Sequence, residues 1–534
     1  MKNRSESDSS RVARVLLSPL GIGLVSFAAL TLLNLPALHD PPTWDGAMGV
    51  HPAAITLSRS GFDLAALLRE PTYMQGGPNT HSMSLVTWLT SVFYRLLAGS
   101  DWLFPAMHVC HFALASIALT GVYRFARPAV GDLLAAALCA VVAFNPIVLA
   151  QSGCLYLEIP LLATTMAALV SWSNRSWKAA VCWSLVTFYI KETGLILAGT
   201  LGAAALIEAG SWRLRIGRAF GVVVPSIAAF CLNAAVAHPT GATPYVPPPY
   251  LEYLRFNIVQ RLAPVPDLCV AMLLFFLVTA LRSRAIWRGL RDPAGTGDTS
   301  DRRVMSTAVA LSHLMVLAFT GFFLAARFVG EVYLLPRYFV QIFPCLALAL
   351  IDAARRIAPE RVVRAGAIVC CLLFLANREG TFYAPIDTND GSVAERSLEY
   401  RDLLQVQRQS LRELESAAPE ALVFYGLPEH FRVSYPEMGF VSRRPAQGHC
   451  ILLDPPYNRA RLADFPHWFY LVLDYPALGG QRLFAVFQEA SRRGWNVRKA
   501  SDFRRGHYRV LLLEIATPTA NKPPTIGEEG RSAP

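Results

Sequence analysis

The sequence predicts a polytopic α-helical membrane protein with a C-terminal α/β soluble domain. Three observations carry that prediction. Hydrophobic residues make up 53% of the 534 positions and charged ones only 16%, where soluble proteins carry about 25% charged residues. Apolar runs long enough for membrane helices recur up to about residue 377, each close to the ~20 residues a span needs. Beyond that point polar and charged residues alternate with short apolar runs.

Taken in order, a polar basic tail, 1–14, precedes an apolar run from about Val15 to Leu38. That run exceeds a signal-peptide core and shows no convincing small-residue cleavage site, so it reads as an anchor. Further spans are expected at about 102–123, 130–150, 158–173, 178–190, 194–209, 216–237, 267–283, 304–326, 338–354 and 362–377, about 11 in all by the length rule. Basic groups at Arg11 and Arg14, Arg124 and Arg127, Arg175 and Lys178, Arg213 to Arg218, Arg282 to Arg303 and Arg355 to Arg364 fall in every second loop. The positive-inside rule makes these loops and the N-terminus cytoplasmic. The net charge of +11 is explained by the same loops, and nucleic acid is not expected as a partner. Ten cysteines show no CxxC or pairing pattern, and most lie inside spans, where they act as small apolar residues.

The phase holds only if Met83–Leu97, a short piece carrying Arg95, stays on the surface as a juxtamembrane helix. A first outer loop, 39–101, then faces the same side as Gln151–Glu158, Lys191–Gly194, His238–Asp267 and Phe328–Arg337. The transmembrane part is 15–377. A periplasmic or extracellular α/β domain is expected over 378–516, and a Pro/Gly/Glu-rich tail over 517–534 reads as disordered. Within the domain, Ser397–Leu414 and Arg482–Arg492 read as helices. Ala421–Gly426, Trp468–Asp474 and Tyr508–Ile515 read as strands.

Several residues on the outer side are candidates for chemistry. Asp45, in WDGAMGVHP, is an acid at the bilayer boundary: either a solvated loop or capping carboxylate, or one with a task. Glu158 opens a span two residues before Pro160; an acid there suits a helix start, and a functional carboxylate is the alternative. Lys191 and Glu192, in YIKETG, form a local ion pair or supply a phosphate contact. Arg337 and Tyr338, in LLPRY, put a cation where the positive-inside bias disfavours one, with snorkelling as the ordinary explanation. Arg255 and Arg261 are weaker versions of the same signal. His51 and His81 could hold a divalent metal with a nearby carboxylate, although no ligand spacing is visible. His108 and His111 read as packed or hydrogen-bonded residues. No Walker A, GxSxG or GxGxxG pattern occurs, which removes support for nucleotide-driven transport and serine hydrolysis.

The order of these features resembles the GT-C glycosyltransferases, closest in style to family 39 and the bacterial aminoarabinose and lipopolysaccharide-core transferases. The features are an acid in the first outer loop, a Gly/Pro turn, a short apolar helix, an acid with Pro opening a later span, K-x-x-G, and R-Y at a late span. The likeness covers about 15–377. This sequence departs from the pattern with Gly46 after Asp45, with PNTHSMSL (Pro78 to Leu85) where a basic residue and two prolines are usual, and with Glu158 where Asp is usual. The resemblance implies a cell-membrane enzyme that takes a sugar from a polyprenyl-phosphate donor and passes it, with inversion, to a lipid, glycan or protein acceptor on the outer face. It further implies Asp45 as general base, Glu158 as its orienting or acceptor-binding partner, and Lys191 and Arg337 on the leaving phosphate. Glu192, Tyr338, His81 and Arg255 complete the expected substrate contacts. A transporter or flippase of lipid-linked sugars, or a non-catalytic scaffold, is the competing reading.

Overall fold

The computed structural model describes residues 15–43, 46–69, 84–236, 249–291, 306–325, 334–384, 395–417, 422–425, 429–444, 447–450, 467–474, 488, 491–506 and 508–516. Chain contacts divide the protein into two units: 1–384 with 390–400, and 385–389 with 401–534.

The first unit is helical. Its described elements are α1 (Pro19–Asn34), α2 (His51–Arg59), α3 (Leu64–Arg69), α4 (Leu85–Leu97), α5 (Leu103–Val130), α6 (Asp132–Phe144), α7 (Pro146–Gly153), α8 (Glu158–Ser173), α9 (Trp177–Ile190), α10 (Gly194–Ile207), α11 (Trp212–Val236), α12 (Tyr250–Arg255), α13 (Pro266–Arg291), α14 (Thr307–Ala325), α15 (Phe343–Ile357) and α16 (Glu360–Ala376). Among the described residues, every segment read from the sequence as a span is mainly helical. Five described helices, Pro19–Ala37, α5, α11 within Trp212–Leu232, α13 and α14, are long and apolar enough to cross a membrane. The unit is that of a multi-pass membrane protein. The 14 residues of α9 and of α10 span only about 21 Å at ~1.5 Å per residue, against a hydrocarbon core of ~30 Å.

Local sequence explains where these helices begin and break. Ser18 caps α1 by accepting from Gly21 N at 3.0 Å, with Pro19 in the first turn; Ser84 does the same for α4 through Val86 N at 3.2 Å. Both supply an acceptor for an amide with no helical partner. The expected single span at 130–150 is instead α6 and α7, bent by 64°. Asn145 sits extended at the break and accepts from Ile147 N and Val148 N. Pro146 disfavours helical geometry in the residue before it, so the break is written in Asn-Pro. The expected span at 338–354 is a 3-10 turn, Pro336–Gln341, followed by α15.

Helix α5 packs on α1, α6 and α8, while α8 also packs on α9. Helix α10 contacts α9, α11 and α14; α14 contacts α15, and α16 lies on α6. In the first loop, α2 packs against α4, and Arg95 donates to Ser58 O at 3.3 Å.

The second unit holds α17 (Tyr400–Ala417, from Arg401 on), α18 (Glu429–Ser434) and a five-stranded mixed sheet. Its strands are β1 (Leu422–Tyr425), β2 (Gln447–Cys450), β3 (His467–Asp474), β4 (Asn496–Arg505) and β5 (Tyr508–Ala516), in the order β2-β1-β3-β5-β4. Strands β1–β2 and β1–β3 are parallel, and β3–β5 and β4–β5 antiparallel. The sequence reading found β1, β3 and β5 and missed β2 and β4. Strand β4, NVRKASDFRR, carries five charged residues among its ten, which hides the alternation that marks a strand. The expected helix 482–492 lies largely outside the described residues, as does the tail from 517.

Candidate active site

Two of the expected site residues, Asp45 and His81, lie outside the described residues. Among the described ones, a compact charged cluster forms where α8 begins. Tertiary contacts bring the 3-10 turn Pro336–Gln341 against both α7 and α8, and Gln341 donates to Thr165 Oγ1 at 3.3 Å. Arg337 is thereby delivered to the first turn of α8, and the short turn after α9 delivers Lys191.

Lys191 Nζ donates to Glu158 Oε1 at 2.7 Å, and Arg337 Nε lies 3.5 Å from the same oxygen. Arg337 Nη1 also pairs with Glu395. Glu158 is 1% exposed, Arg337 and Glu395 2% and Lys191 3%. Aromatic faces complete the enclosure. The Lys191 ammonium stands 4.3 Å from the Tyr338 ring centre and 5.6 Å from that of Tyr156; the Arg337 guanidinium is 5.5 and 5.4 Å from the same two rings. Cations over ring faces are stabilised by the ring quadrupole, more so when desolvated. Burial is the largest influence on Lys191 and works to discharge it, but Glu158, Tyr338 and Glu192 together outweigh it and raise the Lys191 pKa. The lysine is therefore held as a cation.

Glu395 and Tyr156 were not found from sequence. Tyr156 could have been, as an aromatic two residues before Glu158. Glu395 carries no local signal: it lies in a polar stretch expected to belong to the α/β domain. The structure instead returns 395–400 to the helical unit. Gln151 Nε2 donates to Glu395 O at 2.9 Å, and the buried Arg396 binds Glu399, Pro264 O and Ala384 O. Gly153 permits this approach, because a Cβ there would come within 2.5 Å of the Tyr400 hydroxyl and 2.9 Å of Asn34 Oδ1.

The turn between α7 and α8 also organises the first loop. Thr43 donates to Cys154 O at 3.3 Å, and a Cβ on Gly46 would lie 3.6 Å from Leu155 O. The first loop is therefore tied at Thr43 to the turn that leads into Glu158, and Gly46 faces the same turn without room to spare for a larger side chain. Leu155 takes a left-handed φ of 48°, uncommon for a residue with a Cβ, and its carbonyl lies 3.2 Å from His51 Nε2. A carbonyl only accepts, so Nε2 carries the proton. Nδ1 then accepts from the Tyr94 hydroxyl at 2.8 Å. Burial lowers the His51 pKa to about 4. Val50, Tyr156, Leu157, Leu161 and Ile190 form the apolar floor beneath these groups, with Val86 of α4 against it.

With both ring nitrogens engaged, His51 is built as a bridge between loop and turn rather than as a metal ligand. Among the described residues no three His, Cys, Asp or Glu side chains converge as a metal would require. Arg255 is exposed at the end of α12, and no described contact joins it to the cluster. His108 and His111 bond through Nε2 to Asp40 O and Gln151 O, at 3.1 and 3.2 Å. They brace the first loop and α7.

No family model matches this chain, and no curated protein does. Among solved structures it is similar to two crystal structures of ArnT from Cupriavidus metallidurans. The one bound to undecaprenyl phosphate shares 12% identity over 92% of this chain and 97% of that chain, with a TM-score of 0.49. The apo form shares 14% identity over the same fractions, with a TM-score of 0.46. At such identities the chemistry of the site is read from its own residues.

Proposed function

We propose that this protein is a membrane glycosyltransferase that moves a sugar from a polyprenyl-phosphate donor to an acceptor hydroxyl, with inversion. The observation that carries the reading is the buried pair of cations, Lys191 and Arg337, held within 3.5 Å of one carboxylate oxygen and walled by two tyrosines. The phosphodiester donor carries one negative charge and its phosphate leaves with a second growing on oxygen, and preoriented cations in a water-poor site favour that development over the singly charged ground state. The polyprenyl part of the donor follows from the residue order that resembles the GT-C enzymes.

In the proposed step the acceptor oxygen attacks the anomeric carbon as Asp45 takes its proton. The bond from that carbon to the phosphate oxygen breaks, and its electron pair leaves on the lipid phosphate beside Arg337 and Lys191. Glu158 and Glu395 keep the two cations charged and aimed before the donor arrives. The hydrogen bond from Thr43 to Cys154 O, which ties the first loop to the turn leading into Glu158, supports a part for that loop in the step. His81 is proposed as a donor or acceptor contact from the same loop. The phase of the basic loops supports reaction on the outer face of the cell membrane, with the α/β unit on that side.

The test is transfer of radiolabelled sugar from a panel of polyprenyl-phosphate donors in membranes, with wild type beside Asp45→Asn. Transfer by wild type, with a loss of at least about a hundredfold in the variant, is expected for a general base. Equal transfer by both removes Asp45 from the step. No transfer from any donor, by protein shown to be folded, turns the reading to a scaffold.

A further inference from the structure

The α/β unit carries a second concentration of cations that the reaction above does not use. A cleft of about 580 Å³ lies between the polar face of α17 and the end of the β4–β5 hairpin. Arg408, Arg412, Arg504 and Arg505 line it, with Gln409 and Glu413 among the remaining side chains. Its volume falls within the ~300–1,000 Å³ of small-molecule sites.

Two features show that the cleft is built rather than incidental. The first is its walls. Leu403, Leu404, Val406, Leu411 and Leu414 are buried, so the opposite, polar stripe of α17 has a fixed direction. Arg505 donates to Asp402 Oδ1 at 2.6 Å, which ties the hairpin end to the first turn of the helix. Gly506, at φ 53°, makes the approach possible, since a Cβ there would stand 2.5 Å from Asp402 Oδ2. Arg504 is held in turn by Asp502, at 3.3 and 3.2 Å. The second feature is the spacing of its cations. Arg408 and Arg412 sit four apart on one helix face, where like charges repel. Arg412 has no hydrogen bond or ion pair among the described residues.

We infer that this cleft binds a phosphate group carried on a sugar. Guanidinium forks match phosphate oxygens in pairs, and Gln409 and Glu413 supply the amide and carboxylate that sugar hydroxyls need. The phosphate sits on Arg412 and Arg408, with Arg504 and Arg505 closing the far wall. A lipid headgroup and a glycan-borne phosphate share this chemistry, and the experiment separates them.

Calorimetric titration of the full-length protein in a neutral detergent, with glucose 6-phosphate as probe, tests the site. Saturable binding is expected, weakened about tenfold by Arg412→Ala and by Arg408→Ala and by raising salt from about 50 to 300 mM. Arg412→Lys should recover part of the loss, since it keeps the charge without the fork. Arg498→Ala, on β4 but outside the cleft, should bind as wild type does. Repeating the titration in phosphatidylglycerol and phosphatidylcholine nanodiscs identifies the source. Probe binding lost only in the anionic bilayer assigns the cleft to a lipid headgroup and overturns the sugar-borne ligand, whereas binding kept in both supports a glycan phosphate. No saturable binding by wild type, or equal binding by wild type and both alanine variants in folded protein, overturns the proposal. The readout involves no transfer, so its failure leaves the proposed reaction untouched.

Discussion

The Glu158 cluster of the helical unit and the arginine cleft of the α/β unit use the same kinds of side chain in opposite ways. In the first, two cations and two carboxylates are each at most 3% exposed. In the second, Arg412, Arg504 and Arg505 are exposed, and only Arg408 is half-buried. Burial multiplies the worth of every charge and also the cost of leaving one unpaired. The buried cluster must therefore carry its own neutralising carboxylates and holds its cations rigidly. The cleft can leave Arg412 without a partner among the described residues because water solvates it. One site is preorganised for charge that develops during a reaction; the other is open to a charge that arrives with a ligand.

Removing one partner of the buried set should have the largest effect. Lys191→Met leaves Glu158 short of a neutralising cation and is expected to cost about 3–5 kcal/mol, read as a lower unfolding temperature in detergent. Sugar transfer should fall at least about a hundredfold. Adding Glu158→Gln should recover much of the stability, because paired apolar or neutral replacement of buried ions is often near neutral, but none of the transfer. If activity returned with stability, the cluster would be structural alone.

Acidification comes next. His51 has an ordinary pKa of 6.5 in the unfolded chain and about 4 in the folded one. Between those values the unfolded state binds the extra proton. Its contribution is therefore intact above pH 6.5 and is lost as pH falls toward 4, by up to about 3 kcal/mol. Melting curves from pH 7 to 4.5 should show the decline, and His51→Gln should flatten it. Tyr94→Phe removes the hydroxyl that donates to Nδ1 and should cost about 1–3 kcal/mol, the usual cost of stranding a buried acceptor. At the other end, Arg498→Ala breaks an ion pair with Glu514 at a side chain 76% exposed, and its effect should stay below about 1 kcal/mol. A large loss there would erase the contrast between the two settings.

Much of this was legible in order along the chain. The apolar runs predict helix, and their described residues are mainly helical, because a segment in lipid must satisfy its backbone internally. Asn145-Pro146 is a local signal for the break inside 130–150. In the charged cluster, Arg337 stands out as a cation where loop phase disfavours one, and Lys191 as a lysine at an outward turn suited to a phosphate or a local ion pair. Glu158 looked like an ordinary helix start, and it is one: its second role needs Lys191 and Arg337 beside it, and they arrive from turns 33 and 179 residues further on.

The sequence by itself determined that this chain forms apolar helices followed by an α/β unit, and which of its outward loops carry unusual charges. Hydropathy and charge are properties of single segments, and they suffice for that. Only the tertiary structure decided that Glu395 joins the helical unit, that His51 spends both nitrogens on Tyr94 and Leu155, and that α17 and the β4–β5 hairpin enclose four arginines. Each depends on distant segments meeting in three dimensions, where burial and distance set the energy of a charge and residue type alone does not.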